Sequence, residues 1–175
     1  MLIIEGSDHL GKTTAAKALV KMAAAHRRYP IRYAHMSRPN EAFDFLHDYQ
    51  DMSSKFAVQD RFHLGGLVWH KGKITLDSLK IIEGRLMSLG SFCVVFYTSD
   101  EAWYEKVLLE NGKDEMFSPE VIMDANRRFR ELAEYTVWCD FMYDVKNGQF
   151  PTDVTILNWL NTWYSRLGYL EPSRT

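Results

Sequence analysis

Near the start of the chain, Gly6-Ser7-Asp8-His9-Leu10-Gly11 is followed at once by Lys12, Thr13 and Thr14. Two glycines at this spacing let the backbone turn so that its N–H groups converge on phosphate oxygens. A helix starting at Thr13 would add the positive end of its dipole. Lys12 can then reach the β- and γ-phosphates of a nucleoside triphosphate, and the Thr13 hydroxyl can ligate Mg²⁺. Residues Gly6 to Thr14 therefore read as a P-loop, a cradle for the phosphates of ATP.

A second group lies in "VQDRFHL", where Asp60 and Arg61 close an expected strand. In an open parallel sheet the carboxyl ends of the strands border the ligand crevice. Asp60 there can hold Mg²⁺ through water, and the fork of donors on Arg61 can clamp a second phosphate. Arg38, in "MSRP", again stands just past an expected strand. Three cationic groups at three strand ends exceed what one triphosphate needs, so the acceptor is expected to be phosphorylated itself.

These positions require a scaffold of alternating strands and helices. Residues 1 to 5 read as a buried strand. Ala15, Ala18, Leu19, Met22 and Ala23 then repeat at helical spacing. "IRYAHMS" alternates as a strand, "EAFDFLHDY" is short enough for one small helix, and "KFAVQDRF" is a third strand. Leu79, Ile82, Leu86 and Leu89 share a helix face that Gly90 stops. "SFCVVFYTS" has the nearly uniform apolarity of a central parallel strand. Ser118 is placed to cap a helix with Pro119 at its first position. "TVWCDFMYDV" supplies the last strand, and a closing helix carries Leu157, Leu160, Tyr164 and Leu167 on one face. The pattern predicts one α/β domain over residues 1–175, with a five-stranded parallel sheet between helices.

The 175 residues suffice for one core, and a formal net charge of -2 advertises no polymeric nucleic acid as partner. Cys93 and Cys139 lie in apolar stretches and read as buried free thiols of a reducing, cytoplasmic setting. No apolar run approaches the roughly 20 residues that cross a bilayer, and a strand beginning at Met1 is expected to leave no room for a signal peptide.

The chain resembles the thymidylate kinase family of P-loop nucleotide kinases. The resemblance rests on "EGSDHLGKTT", on Arg38-Pro39, on "DRFHL", and on "GKDEMFSPEVIMDANRRF", which is similar to the lid and following helix of short, phage-like members. It implies a P-loop NTPase fold, a lid at about 109–118, and transfer of the γ-phosphate of ATP to a deoxynucleoside monophosphate with Mg²⁺. By position, Asp8 would contact the acceptor sugar. His9 would stand where some members place an arginine on the transferring phosphate; the residue type allows equally a solvent-exposed loop position. Lys12, Arg61 and His9 would be catalytic, Asp8, Arg38, Arg61 and Phe62 would bind the acceptor, and Thr13 and Asp60 would serve the metal. Members are often homodimers.

Only 21 residues separate Pro39 from Arg61, so the segment that usually carries the base-stacking aromatic is shortened. Phe43, Phe45, Tyr49, Phe62 and Trp69 are the substitutes, each also suited to core packing. The lid offers only Lys113, while Arg127, Arg128 and Arg130 could reach inward or cover a solvated face. Two other readings stay open. A deoxynucleoside kinase would use Glu5 as the base on a 5′-hydroxyl, and a nucleotide-binding switch would bind ATP without a small acceptor.

Overall fold

The computed structural model describes residues 1–25, 31–36, 48–49, 56–70, 74–111, 117–136 and 139–168. Five strands form one parallel sheet: β1 (Leu2–Gly6), β2 (Arg32–His35), β3 (Ala57–Asp60), β4 (Phe92–Tyr97) and β5 (Phe141–Asp144). Their order across the sheet is β2-β3-β1-β4-β5. Six helices accompany them among the described residues: α1 (Lys12–Ala25), α2 (His63–Trp69), α3 (Leu76–Ser88), α4 (Glu101–Asn111), α5 (Pro119–Tyr135) and α6 (Asp153–Arg166). This is an α/β architecture consistent with the P-loop NTPase fold, as expected.

The period-two geometry of the strands divides the interior into two cores. Leu2 and Ile4 of β1, with Phe92, Val94 and Phe96 of β4, face α1 and α6. Their alternates Met1, Ile3, Cys93 and Val95 face α2, α3 and α5. The apolar runs 2–4 of β1 and 92–96 of β4 thus reflect burial on both sides. The neighbours β1 and β3 send their chains to opposite faces, β1 into α1 and β3 into α2. In open parallel sheets ligands bind at the carboxyl ends of strands that diverge in this way.

Several local expectations need correction. Helices α2 and α4 were not expected, because α2 spans only seven residues and α4 has a weak apolar period. The buried face of α6 is Ile156, Trp159, Leu160, Trp163 and Tyr164. Leu157 and Leu167 are only partly buried, since Trp159 turns the helix toward Phe96 and Tyr143. Ser118 stands at the N-cap of α5 but makes no capping bond to the backbone. Its hydroxyl instead helps hold the Glu120 carboxyl below its ordinary range. Cys139 is half-buried, unlike Cys93, because it precedes the edge strand β5. Of the short helix expected at 41–49, only 48 and 49 are described, and they are helical.

Gly90 does end α3's last turn, at φ +62°, and Thr75 begins the helix by accepting a bond from Ser78 N at 3.1 Å. Thr75→Ala is expected to cost about 1 kcal/mol, the usual worth of such a cap. Urea denaturation reads it as a lower midpoint at an unchanged slope.

Candidate nucleotide site

The loop between β1 and α1 starts with a constraint only glycine meets. Gly6 has φ +129°, and a Cβ there would stand 2.0 Å from the Phe96 carbonyl oxygen. The chain can therefore turn out of β1 while still pressed on β4. His9 takes φ +58° and Gly11 φ +78°, so the loop curls back before α1 begins at Lys12. His9 is half-buried.

Helices on the far side brace this loop. The Tyr104 hydroxyl of α4 lies 2.6 Å from the Asp8 carbonyl and 2.9 Å from Ser7 Oγ. Ser7 Oγ donates in turn to the carbonyl of Ile122 in α5. The Phe150 ring covers Gly11 so closely that a Cβ there would lie 2.6 Å from it. Neither Tyr104 nor Phe150 was picked out from the sequence. An aromatic on an apolar helix face looks like core, and one in a loop has no pattern at all.

Lys12 is buried, and its Nζ donates to the Ser7 carbonyl and lies 3.7 Å from Asp8 Oδ1. Burial pulls its pKa down, with Arg61 adding to the effect, while Asp8, Asp60 and Glu5 pull it back. The loop thus holds a desolvated cation between a backbone oxygen and the Asp8 carboxylate.

Arg61 stands at the end of β3 with φ +64°, a left-handed conformation that costs a side-chain-bearing residue about 1–2 kcal/mol. Two bonds hold it there. Its N–H donates to the Ile4 carbonyl at 2.9 Å, and its carbonyl accepts from Gln59 Nε2 at 3.0 Å. Turned this way, the guanidinium reaches Asp8 Oδ1 at 2.5 Å while keeping 42% of its side chain exposed. Asp8 therefore sits between two cations, one opening α1 and one just past β3.

Asp60 lies one residue earlier and is fully buried. Its Oδ2 accepts from Thr13 Oγ1 at 2.6 Å and from Tyr33 OH at 2.9 Å, and lies 3.1 Å from His35 Nδ1. Burial alone would push this carboxyl up. The bonds from Thr13, His35 and Tyr33 outweigh it and hold the group below its ordinary value. Oδ1 is buried and has no hydrogen-bond partner among the described residues. An orphaned carboxylate oxygen beside a hydroxyl is a donor set suited to a hard divalent cation. Among the described residues, no group of three or more His, Cys, Asp or Glu side chains gathers to hold a metal. Two protein oxygens, with water and phosphate completing the shell, are what Mg²⁺ usually takes.

Glu5 is buried beneath the crevice. Its Oε1 accepts from Leu64 N at 2.8 Å and from Gly65 N at 3.4 Å. Burial pushes the carboxyl up to about 7, against the downward pull of the Phe62, Leu64 and Gly65 N–H groups. Burial also takes the neighbouring His63 down to about 3. Glu5 anchors the start of α2, immediately beyond Arg61.

The aromatic candidates separate clearly. Phe62, expected at the acceptor, is buried in the second core, 4.8 Å from the Tyr49 ring, and the Tyr49 hydroxyl donates to its carbonyl. Both therefore serve packing. Trp69 is half-buried and stacks on Phe117 at 5.2 Å. Arg38, Phe43, Phe45 and Lys113 lie outside the described residues, as does 112–116 of the expected lid. Arg127 pairs with Glu101 through two bonds, and Arg130 pairs with Glu134 and covers the Tyr97 ring. Arg128 donates to the Val68 and Leu67 carbonyls at the end of α2. None of the three joins Lys12 and Arg61: two are paired on the helix surface, and the third caps a neighbouring helix.

No family model matches this chain, and no curated protein does. Among solved structures it is similar to the YorR protein of Bacillus subtilis, crystallised in complex with phosphorylated GDP. The TM-score is 0.70 at 20% sequence identity, over 98% of this chain and 99% of that one. At that identity the likeness establishes the fold, the whole of it in a chain of closely similar extent. No described helix is long and apolar enough to cross a membrane.

Proposed function

We propose that the protein transfers a phosphoryl group from ATP to a deoxynucleoside monophosphate, with dTMP the first candidate. The observation that carries this reading is Arg61: a partly exposed guanidinium outside the phosphate-binding loop, joined to Lys12 only through Asp8. Donor phosphates fit the loop and Lys12. A second anion entering beside Arg61 would take over the partner it now finds in Asp8, freeing Asp8 for a sugar hydroxyl. Arg38 is the proposed second grip on that anion.

The reaction joins an acceptor phosphate oxygen to the γ-phosphorus while the β–γ bridging bond breaks and ADP leaves. An acceptor phosphate is already anionic at neutral pH, so no protein base is needed, and catalysis is positioning plus neutralisation of charge. Lys12 and Arg61 supply the neutralisation, and His9 is the proposed third group on the donor side. Thr13 and Asp60 would hold Mg²⁺, which when bound screens the charge of the donor phosphates. One feature of Glu5 supports a phosphate acceptor over a nucleoside: its Oε1 is committed to the Leu64 and Gly65 N–H groups of α2 rather than free to act as a base on a 5′-hydroxyl.

For the base, Trp69 is the one described aromatic candidate that is only half-buried, with one face stacked on Phe117. Phosphorylated GDP in the structurally similar YorR favours dGMP as the second acceptor to try. An ADP-release assay with ATP and Mg²⁺ across four deoxynucleoside monophosphates and their four nucleosides tests the proposal. Turnover is expected with monophosphates alone. Turnover confined to nucleosides would replace this reading with the deoxynucleoside kinase. ATP binding with silence across the panel would leave the nucleotide switch.

A further inference from the structure

Asp60 is held more firmly than a carboxylate at a strand end requires. All three of its hydrogen-bond donors converge on Oδ2, one from α1 and two from β2, while Oδ1 has none among the described residues. The two from β2 follow from register. His35 pairs with Asp60 and Tyr33 with Val58 across a parallel ladder, so Tyr33 and His35, two residues apart, project on the same side of the sheet as Asp60. An edge strand thus lends two polar side chains to a carboxylate on its neighbour.

The arrangement has a mechanical consequence. A carboxylate with three donors on one oxygen cannot rotate to offer both oxygens without breaking bonds, so Oδ1 is the oxygen left without a protein donor among the described residues. Thr13 can donate its proton to Oδ2 while its oxygen lone pairs remain available to the same cation. We infer that Tyr33 and His35 are positioning residues of the divalent-cation site, orienting Asp60 so that Oδ1 is presented to the metal; this rests on the reading of Asp60 and Thr13 as the Mg²⁺ pair. Partners of this kind are generally worth tenfold or more in metal affinity.

The test measures metal binding without turnover. Mn²⁺ is titrated into the protein–ADP complex and the free ion is read by electron paramagnetic resonance, for the wild type, Tyr33→Phe, His35→Ala and His35→Asn. ADP affinity is measured separately in EDTA, and thermal unfolding confirms that each variant is folded. Tyr33→Phe and His35→Ala are each expected to weaken Mn²⁺ about tenfold while leaving metal-free ADP affinity unchanged. His35→Asn, which keeps a donor near the Nδ1 position, should recover most of the loss. Wild-type Mn²⁺ affinity in folded Tyr33→Phe and His35→Ala would show that the two side chains merely pin the edge strand, and would overturn the inference alone. A wild-type complex that takes up no Mn²⁺ would overturn the metal site and the inference with it.

Discussion

Lys12→Met is expected to fold, to bind ATP, and to turn over about a hundredfold more slowly or worse. A hundredfold corresponds to about 2.7 kcal/mol of transition-state stabilisation. That is the size of effect seen when one preorganised charge is taken from a migrating group in a water-poor site. Lys12 meets the conditions: it is buried, and its ammonium rests on the Ser7 carbonyl with Asp8 nearby. The fold should survive because burial disfavours this cation rather than supporting it. Methionine has a similar length and no charge to desolvate. Steady-state kinetics beside a thermal melt decides the matter. A well-folded variant with near-normal turnover would remove Lys12 from the chemistry.

Arg61→Ala should cripple use of the monophosphate and leave ATP binding nearly intact. Losing a charge-assisted clamp on a phosphate is worth about 1.5–3 kcal/mol, or roughly 10- to 150-fold in kcat/KM for the acceptor. The comparison with Arg61→Gly makes the result specific. Both variants lack the guanidinium, but only glycine relaxes the left-handed backbone at φ +64°. Arg61→Gly should therefore match Arg61→Ala in activity while being more stable by about 1–2 kcal/mol of relieved strain, read as a higher unfolding temperature. Collapse of ATP affinity with an unchanged acceptor KM would place Arg61 on the donor side instead.

Much of this arrangement was legible in the residues. The Gly-x-x-x-x-Gly-Lys-Thr run fixes a strand before it and a helix after it, because the spacing works only at that junction. The nearly uniform apolarity of β4 announced a parallel sheet covered on both faces. Asp60-Arg61 at a strand end pointed to the crevice because parallel strands deliver their carboxyl ends to one side. These are local rules, in which a residue's neighbours in sequence decide its geometry.

The remaining contacts join residues far apart in the chain. Asp60 meets Thr13 and Tyr33 across separations of 47 and 27 positions, and Tyr104 reaches Ser7 across 97. Nothing local marks such a pair, since a tyrosine that braces a loop and one that fills a core have the same flanking pattern. Phe62 illustrates the converse: beside Arg61 in sequence, it turns into the second core, while the left-handed bend at Arg61 sends the guanidinium toward Asp8. Sequence by itself determined which strand ends carry the charge and what kind of ligand that charge suits. Only the tertiary structure decided which side chains face the crevice, because the register between β2 and β3 and one strained backbone angle set their directions.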